Sequence, residues 1–354
     1  MEKITIVDPQ NDPRWDKFVD DHPFGWIVHL SGWRTVLEKS FPHMRGHYLS
    51  LVDPVSNQIL AALPFFEVRS WLIGDRKVSI PYATLCDPLV SNQEQLNSLL
   101  QEMINFSGRS SFTNMTVRMF LSSQIVRGMD RVADCFYKTH QLRLLDDPEE
   151  TKKSFSRNVR RKIKEMDTGD LNLRIGFGET DVSIFYQLYV KTRKRLGLPS
   201  HPHRLFNNLF DVFSPERKIA LLFAENKGKA VGGLIVFKYK DRVSSEYLAS
   251  DIAFRHMNID YFLYWNAIAM ACREGYSVYD FGRTALNNSS LLEFKRKWGT
   301  DELDLPQYYY SKDAHQESMN QESSSFYRLT SNLCKYAPDV VYSLIGKICY
   351  GHLG

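Results

Sequence analysis

One pattern restricts the fold of this chain more than any other, and it occurs twice. Residues 47–68, HYLSLVDPVSNQILAALPFFEV, read as a strand, a turn containing Pro, Ser and Asn, and a strongly apolar strand. Residues 218–240, KIALLFAENKGKAVGGLIVFKYK, repeat the scheme around a polar Asn-Lys-Gly turn. Ile59 to Phe65 lines up with Val231 to Phe237. Each hairpin follows predicted helices and precedes another strand and a long helix, so two similar α/β lobes are the economical reading. A length of 354 residues suits two domains of ordinary size.

The first lobe is expected over 1–150 and the second over 151–310, with a polar linker and helical tail over 311–354. In the first lobe, DPRWDKFVDDH opens on Asp12-Pro13 and places Trp15, Phe18 and Val19 at helical spacing. LSGWRTVLEKSF predicts a second helix, capped by Ser31 and burying Trp33, Val36 and Leu37. A hinge or crossover is expected in the charged stretch LLDDPEETKKSF, residues 144–155. In the tail, DAHQESMNQESSSFYRL reads as linker, and Val340, Val341, Leu344, Ile345 and Ile348 recur at helical spacing beyond it.

Composition narrows the function classes. With 43% hydrophobic and 13% aromatic residues, the chain has the material for real cores and is not disordered as a whole. A formal charge of +4 is too small for a protein that coats nucleic acid, and no DNA partner is expected. The five cysteines form no Cys-x-x-Cys pair, which argues against a zinc site and a disulfide framework. The opening MEKITIVDPQ has no apolar signal core, and no apolar run is long enough to span a bilayer. A cytoplasmic location is expected.

The chemistry concentrates late in the chain. A strand (Val243 to Ala249), a long apolar helix ended by Gly275 and a short strand (Val278 to Phe281) build the core unit of GNAT-type N-acyltransferases, in which an acyl donor lies between two diverging strands. FLYWNAIAMACREGYSVYDFGR, followed by SLLEFKRKWG, resembles the FemAB-like branch of that superfamily, including members associated with exopolysaccharide and exosortase systems. FYQLYVKTRKRLGLPSHPHRLF is similar to the branch's Leu-x-x-x-Thr-x-x-Arg-x-Gly-x-Pro segment, and SFSRNVRRKIKE to its arginine-rich entry helix. The resemblance is strong from about Ser154 to Gly299. It implies an α/β (α+β) fold of two tandem GNAT-like lobes, each a mixed, mainly antiparallel sheet flanked by helices.

It also implies roles. Lys295, the lysine after Phe294, would assist acyl transfer, because an oxyanion developing on the donor carbonyl needs a nearby cation or donor. The bland alternative is one of three cations on a solvated turn. Asp280 is a candidate base or an ion-pair partner of Arg283. Glu246 falls on the strand bordering the cleft, with Tyr247 facing the other way by strand alternation, so one of the two should see substrate. Arg157, Arg160 and Arg161 near a helix start suit a phosphate or carboxylate, or else form a solvated basic face. Arg193 and Arg195, two apart on a helix, cannot both point at a ligand. Arg193, Arg195, Tyr247, Arg283 and Phe294 complete the candidate substrate contacts. His201 and His203 resemble half a metal site, but no third ligand is evident and no metal is expected.

One departure bears on the donor. CoA-using GNAT enzymes carry a glycine-bearing Arg/Gln-x-x-Gly-x-Gly/Ala turn where this chain has FRHMNIDYF. No permanently bound cofactor is expected, and the donor is aminoacyl-tRNA, as in the FemAB branch, or an acyl-CoA. The expected acceptor is an amine on a sugar- or peptide-containing precursor of the envelope, peptidoglycan or exopolysaccharide. The alternatives are an acyl-CoA-dependent acetyltransferase acting on amino sugars and a non-catalytic binding protein with the same fold. The terminal helix is also a candidate for peripheral membrane contact.

Overall fold

The second hairpin closes through Lys227 and Gly228, both at positive φ (49° and 77°), a two-residue connection whose twist matches that of its strands. The computed structural model describes residues 3–72, 74–106, 114–125, 133–166, 169–311 and 325–352. In chain order come β1 (Lys3–Ile6), α1 (Arg14–Asp21), α2 (Ser31–Ser40), β2 (Met44–Val52), β3 (Ile59–Val68), β4 (Arg76–Ser79), α3 (Gln93–Asn105) and β5 (Asn114–Arg118). Next are β6 (Ala133–Arg143), α4 (Pro148–Lys152), α5 (Arg157–Met166), β7 (Leu171–Gly176), α6 (Gly178–Arg195) and α7 (His203–Phe213). Then follow β8 (Ile219–Asn226), β9 (Lys229–Tyr239), β10 (Arg242–Ser250), α8 (Ile259–Arg273), β11 (Val278–Asp280) and β12 (Thr284–Ala285). The last are α9 (Ser289–Arg296), β13 (Asp301–Ser311), α10 (Ser325–Tyr336) and α11 (Asp339–Tyr350).

The chain divides into two compact units that are not contiguous halves. One holds Met1–Phe136, Asp304–Gln321 and Lys347–Gly354; the other holds Tyr137–Leu303 and Glu322–Gly346. In the first unit the strand order is β1-β2-β3-β4-β5-β13, antiparallel but for the β4/β5 pair. In the second it is β6-β11-β10-β9-β8-β7, antiparallel but for β10/β11. Each unit thus runs strand, two helices, a three-stranded meander, a crossover helix and a parallel strand, which is the duplication read from the two hairpins. Leu63, Phe65, Leu96, Leu99 and Val117 are in the core of the first unit. Val159, Ile163, Leu234, Val243, Leu263, Ile268 and Trp298 are in that of the second.

Two local expectations need revision. Ser31 does not cap α2: the N-cap position is Leu30, and the Ser31 N–H and hydroxyl both donate to Asp16 at 2.7 Å, so a carboxylate from α1 satisfies this helix start. The charged stretch 144–155 is no hinge but an ordered part of the second unit. It forms α4, capped by Asp147, with Thr151 buried and Phe155 packed against Trp265 and Trp298. Its charges occupy the exposed face of a short helix, which composition cannot tell from a linker. The expected polar linker falls largely on residues 312–324, outside the described residues. Among the described residues, Cys86, Cys272, Cys334 and Cys349 are free thiols.

Candidate active site

In the second unit β10 and β11 pair in parallel only from Arg242–Ser244 to Val278–Asp280. Beyond that point β10 bulges: its register on β9 slips between Ser245 and Tyr247, leaving Glu246 opposite no residue. A bulge adds one residue to a strand and re-aims its side chain. β11 ends at Asp280, and two residues later Gly282, with a φ of +72°, turns the chain away; a Cβ there would stand 3.2 Å from the Ser245 carbonyl oxygen. Sterics therefore favour glycine where the two strands part.

Four ionisable side chains meet at this split. Lys295, on the last turn of α9, is only 3% exposed. Its ammonium donates to the carbonyl oxygens of Gly282 at 2.7 Å and Arg283 at 3.3 Å, leaving one of its three donor directions uncommitted. Burial pulls its pKa down to about 8, opposed by the charges of Asp280 and Glu246. Glu246 moves the other way, to about 7: burial raises it, while a hydrogen bond from the Ser244 hydroxyl lowers it. His140, on β6, is fully buried and held near 4 by burial and by the Lys295 charge, so it is neutral at physiological pH. A half-buried carboxyl poised near neutrality beside a buried, easily deprotonated ammonium can take up one proton and donate another.

Asp280 is a different kind of carboxylate. Almost wholly buried, it accepts from Thr139 Oγ1 at 2.8 Å, Gln141 Nε2 at 3.3 Å and the Gly282 N–H at 2.7 Å. Arg242 stands 3.7 Å away. These bonds tie β6, β10 and β11 together and occupy the oxygens a base would use. Arg283 is exposed, with its guanidinium 4.9 Å from the centre of the Tyr137 ring.

The remaining candidates spread outward. Tyr247 packs against Tyr189, His201 and Phe206. Phe294 belongs to the aromatic core with Tyr261, Tyr264 and Trp298. Arg193 donates to the Pro199 carbonyl at 3.1 Å, and Arg195 is exposed. His201 is a hydrogen-bond partner of the Tyr189 hydroxyl at 2.6 Å, and burial holds it well below the usual histidine range. Arg157, Arg160 and Arg161 lie on the exposed face of α5, whose other face buries Val159 and Ile163. On the same helix Lys162 reaches Asn258 Oδ1 at 3.0 Å, at the start of α8.

That start is built from side chains. Ile259 packs so closely on β9 that a Cβ on Gly232 would stand 2.3 Å from its Cγ2. Asn258, at φ 53°, precedes the helix, and Asp260 lies in its first turn. Burial raises the Asp260 pKa, offset by a Ser250 hydrogen bond and by the charges of Arg195, Arg255 and Lys162. Residues 258–260 thus place side chains around this helix start, and none of them caps it. Sequence reading did not single out His140, Ser244, Asp260 or Gly232. Only the Gly232-Gly233 pair inside an apolar strand carried a signal, since a strand glycine marks a close approach.

Residues 153–296 match the acetyltransferase (GNAT) domain family. No curated protein matches the sequence. Among solved structures the fold is similar to FemX, at 14% identity and TM-score 0.68 over 93% of this chain and 100% of that one. It is similar to a tandem GNAT protein from the clavulanic acid biosynthesis pathway (11%, TM-score 0.56, 88% and 98%). It is also similar to L-PGS from Bacillus licheniformis (10%, TM-score 0.56, 93% and 98%). Residues 153–296, all in the second unit, are thus a GNAT acyltransferase domain, and the fold of the chain as a whole is similar to that of the tandem GNAT protein.

Proposed function

We propose that this enzyme transfers an aminoacyl group from a charged tRNA directly to an amine on a cell-envelope or exopolysaccharide precursor. The observation that carries the choice of donor is the start of α8. CoA-type donors need several convergent N–H groups for the pyrophosphate. Here Ile259 is wedged against Gly232, and Asp260 sets a carboxyl in the first turn. The resemblance to the FemAB branch supports aminoacyl-tRNA instead.

In this reading the amine nitrogen attacks the ester carbonyl carbon of the donor. Glu246 takes the proton the amine sheds, and the uncommitted N–H of Lys295 faces the developing oxyanion. Collapse breaks the ester C–O bond, and the departing ribose hydroxyl recovers a proton. No covalent enzyme intermediate is required.

A second reading, an acyl-CoA-dependent acetyltransferase acting on amino sugars, draws support from the acetyltransferase description of the matched family. Calorimetric titration with acetyl-CoA separates the two. We expect Kd above about 1 mM, less than about 4 kcal/mol of binding free energy. Micromolar binding would put the second reading first. A thermal shift with charged tRNA, absent with uncharged tRNA, is the positive counterpart.

A further inference from the structure

The apolar residues of α11 face outward. Val340 is 82% exposed, Leu344 55%, Ile348 50% and Val341 45%, one stripe at three- and four-residue spacing. The helix is not loosely attached. Its opposite face buries Tyr342, whose hydroxyl donates to the Leu198 carbonyl at 2.8 Å, and Gly346 lies against the Ser200 backbone. Near its end, Tyr350 packs against Phe41 and Tyr82. Just beyond it, His352 is hydrogen-bonded to the Ser70 hydroxyl at 3.1 Å and touches Trp71, whose side chain is 86% exposed beside exposed Leu72. On the preceding helix, α10, Leu333 and Tyr336 are also exposed.

The charged residues of this segment are mostly basic. From Ser325 to Tyr350 the chain carries Arg328, Lys335 and Lys347 against a single acid, Asp339. Lys335 and Lys347 are exposed, while Lys194 pairs with Asp339 at 2.6 Å. We propose that this face docks on an anionic lipid surface. The helix would lie in the plane of the interface with its aliphatic stripe among the acyl chains and Lys347 on lipid phosphates.

Charge and size argue against the other occupants. A symmetric contact with a second copy would place the same patch on both partners and set its cations against each other. The stripe from Val340 to Ile348 runs about 12 Å along the helix axis, short for the roughly 800 Å² per partner of a stable dimer. The chain's own segment 312–324, KDAHQESMNQESS, offers only Ala314 and Met319 as apolar cover.

The test is sedimentation of the full chain with vesicles of phosphatidylcholine alone or in equal parts with phosphatidylglycerol. We expect binding to the anionic vesicles that weakens with added salt, and little to the neutral ones. Leu344→Asp with Ile348→Asp should weaken it by about tenfold or more while leaving circular dichroism and Tm unchanged, because both side chains are solvated in the free protein. Lys347→Glu should weaken it at low salt only. Absence of sedimentation with anionic vesicles, or equal binding by the double variant, would overturn the proposal. So would a concentration-dependent dimer in light scattering that the double variant abolishes, which would assign the face to a second copy.

Discussion

Lys295 and Lys297 are two positions apart on one short basic run, yet their surroundings differ sharply. Lys295 is buried against two carbonyls; Lys297 is solvated and pairs with Glu293 at 2.7 Å, an exposed contact worth little. Sequence alone left a catalytic cation and a solvated turn both open, and the structure buries one lysine of the run while leaving the other in solvent. Lys295→Ala should lower turnover by about two to three orders of magnitude, through loss of a donor aimed at the oxyanion, whereas Lys297→Ala should change little. Equal, mild losses would reduce the run to a basic surface. Glu246 must be ionised and Lys295 protonated for the step to proceed, so activity should rise with deprotonation near pH 7 and fall with deprotonation near pH 8. Glu246→Gln should remove the acidic limb. An unchanged acidic limb in that variant would exclude Glu246 as the proton acceptor.

At the scale of elements, the bulge in β10 and the glycine-free start of α8 carry the proposed site, and they differ in how visible they are in sequence. The missing glycines of FRHMNIDYF could be read directly, because a side chain where a backbone must approach an anion is a local fact. The bulge at Glu246 could not, since register is decided by the partner strand. The Asp280 network was likewise hidden: Thr139, Gln141 and Arg242 lie far away in sequence or on a neighbouring strand. Helix α5 keeps its arginines on a solvated face, where they can still hold an anionic substrate. If they do, Arg160→Gln with Arg161→Gln should raise KM with little change in kcat. The effect should fade with salt, as exposed charges are screened over about 10 Å at 0.1 M. A KM unchanged at low salt would leave α5 as a structural helix with a soluble face.

For the whole molecule, the duplication was legible because hairpin, crossover helix and apolar periodicity are written twice in near-identical order. The assignment of the last fifty residues was not, because it depends on long-range pairing. β13 follows the GNAT domain in sequence, yet its residues Gln307–Ser311 pair with Arg118–Asn114 of β5 in the first unit. α10 closes over Gly197 in the second unit, where Ser331 and Lys335 press on the turn after α6. A chain ending at Leu303 would keep the whole matched acyltransferase segment and still lose cover in both units. β5 would become an open edge, and open strand edges invite pairing between molecules. We therefore expect that truncation to give oligomers in size-exclusion chromatography and a lower Tm than the full chain. A monomer with unchanged Tm would mean that β13, α10 and α11 are appended to two units that are already complete without them.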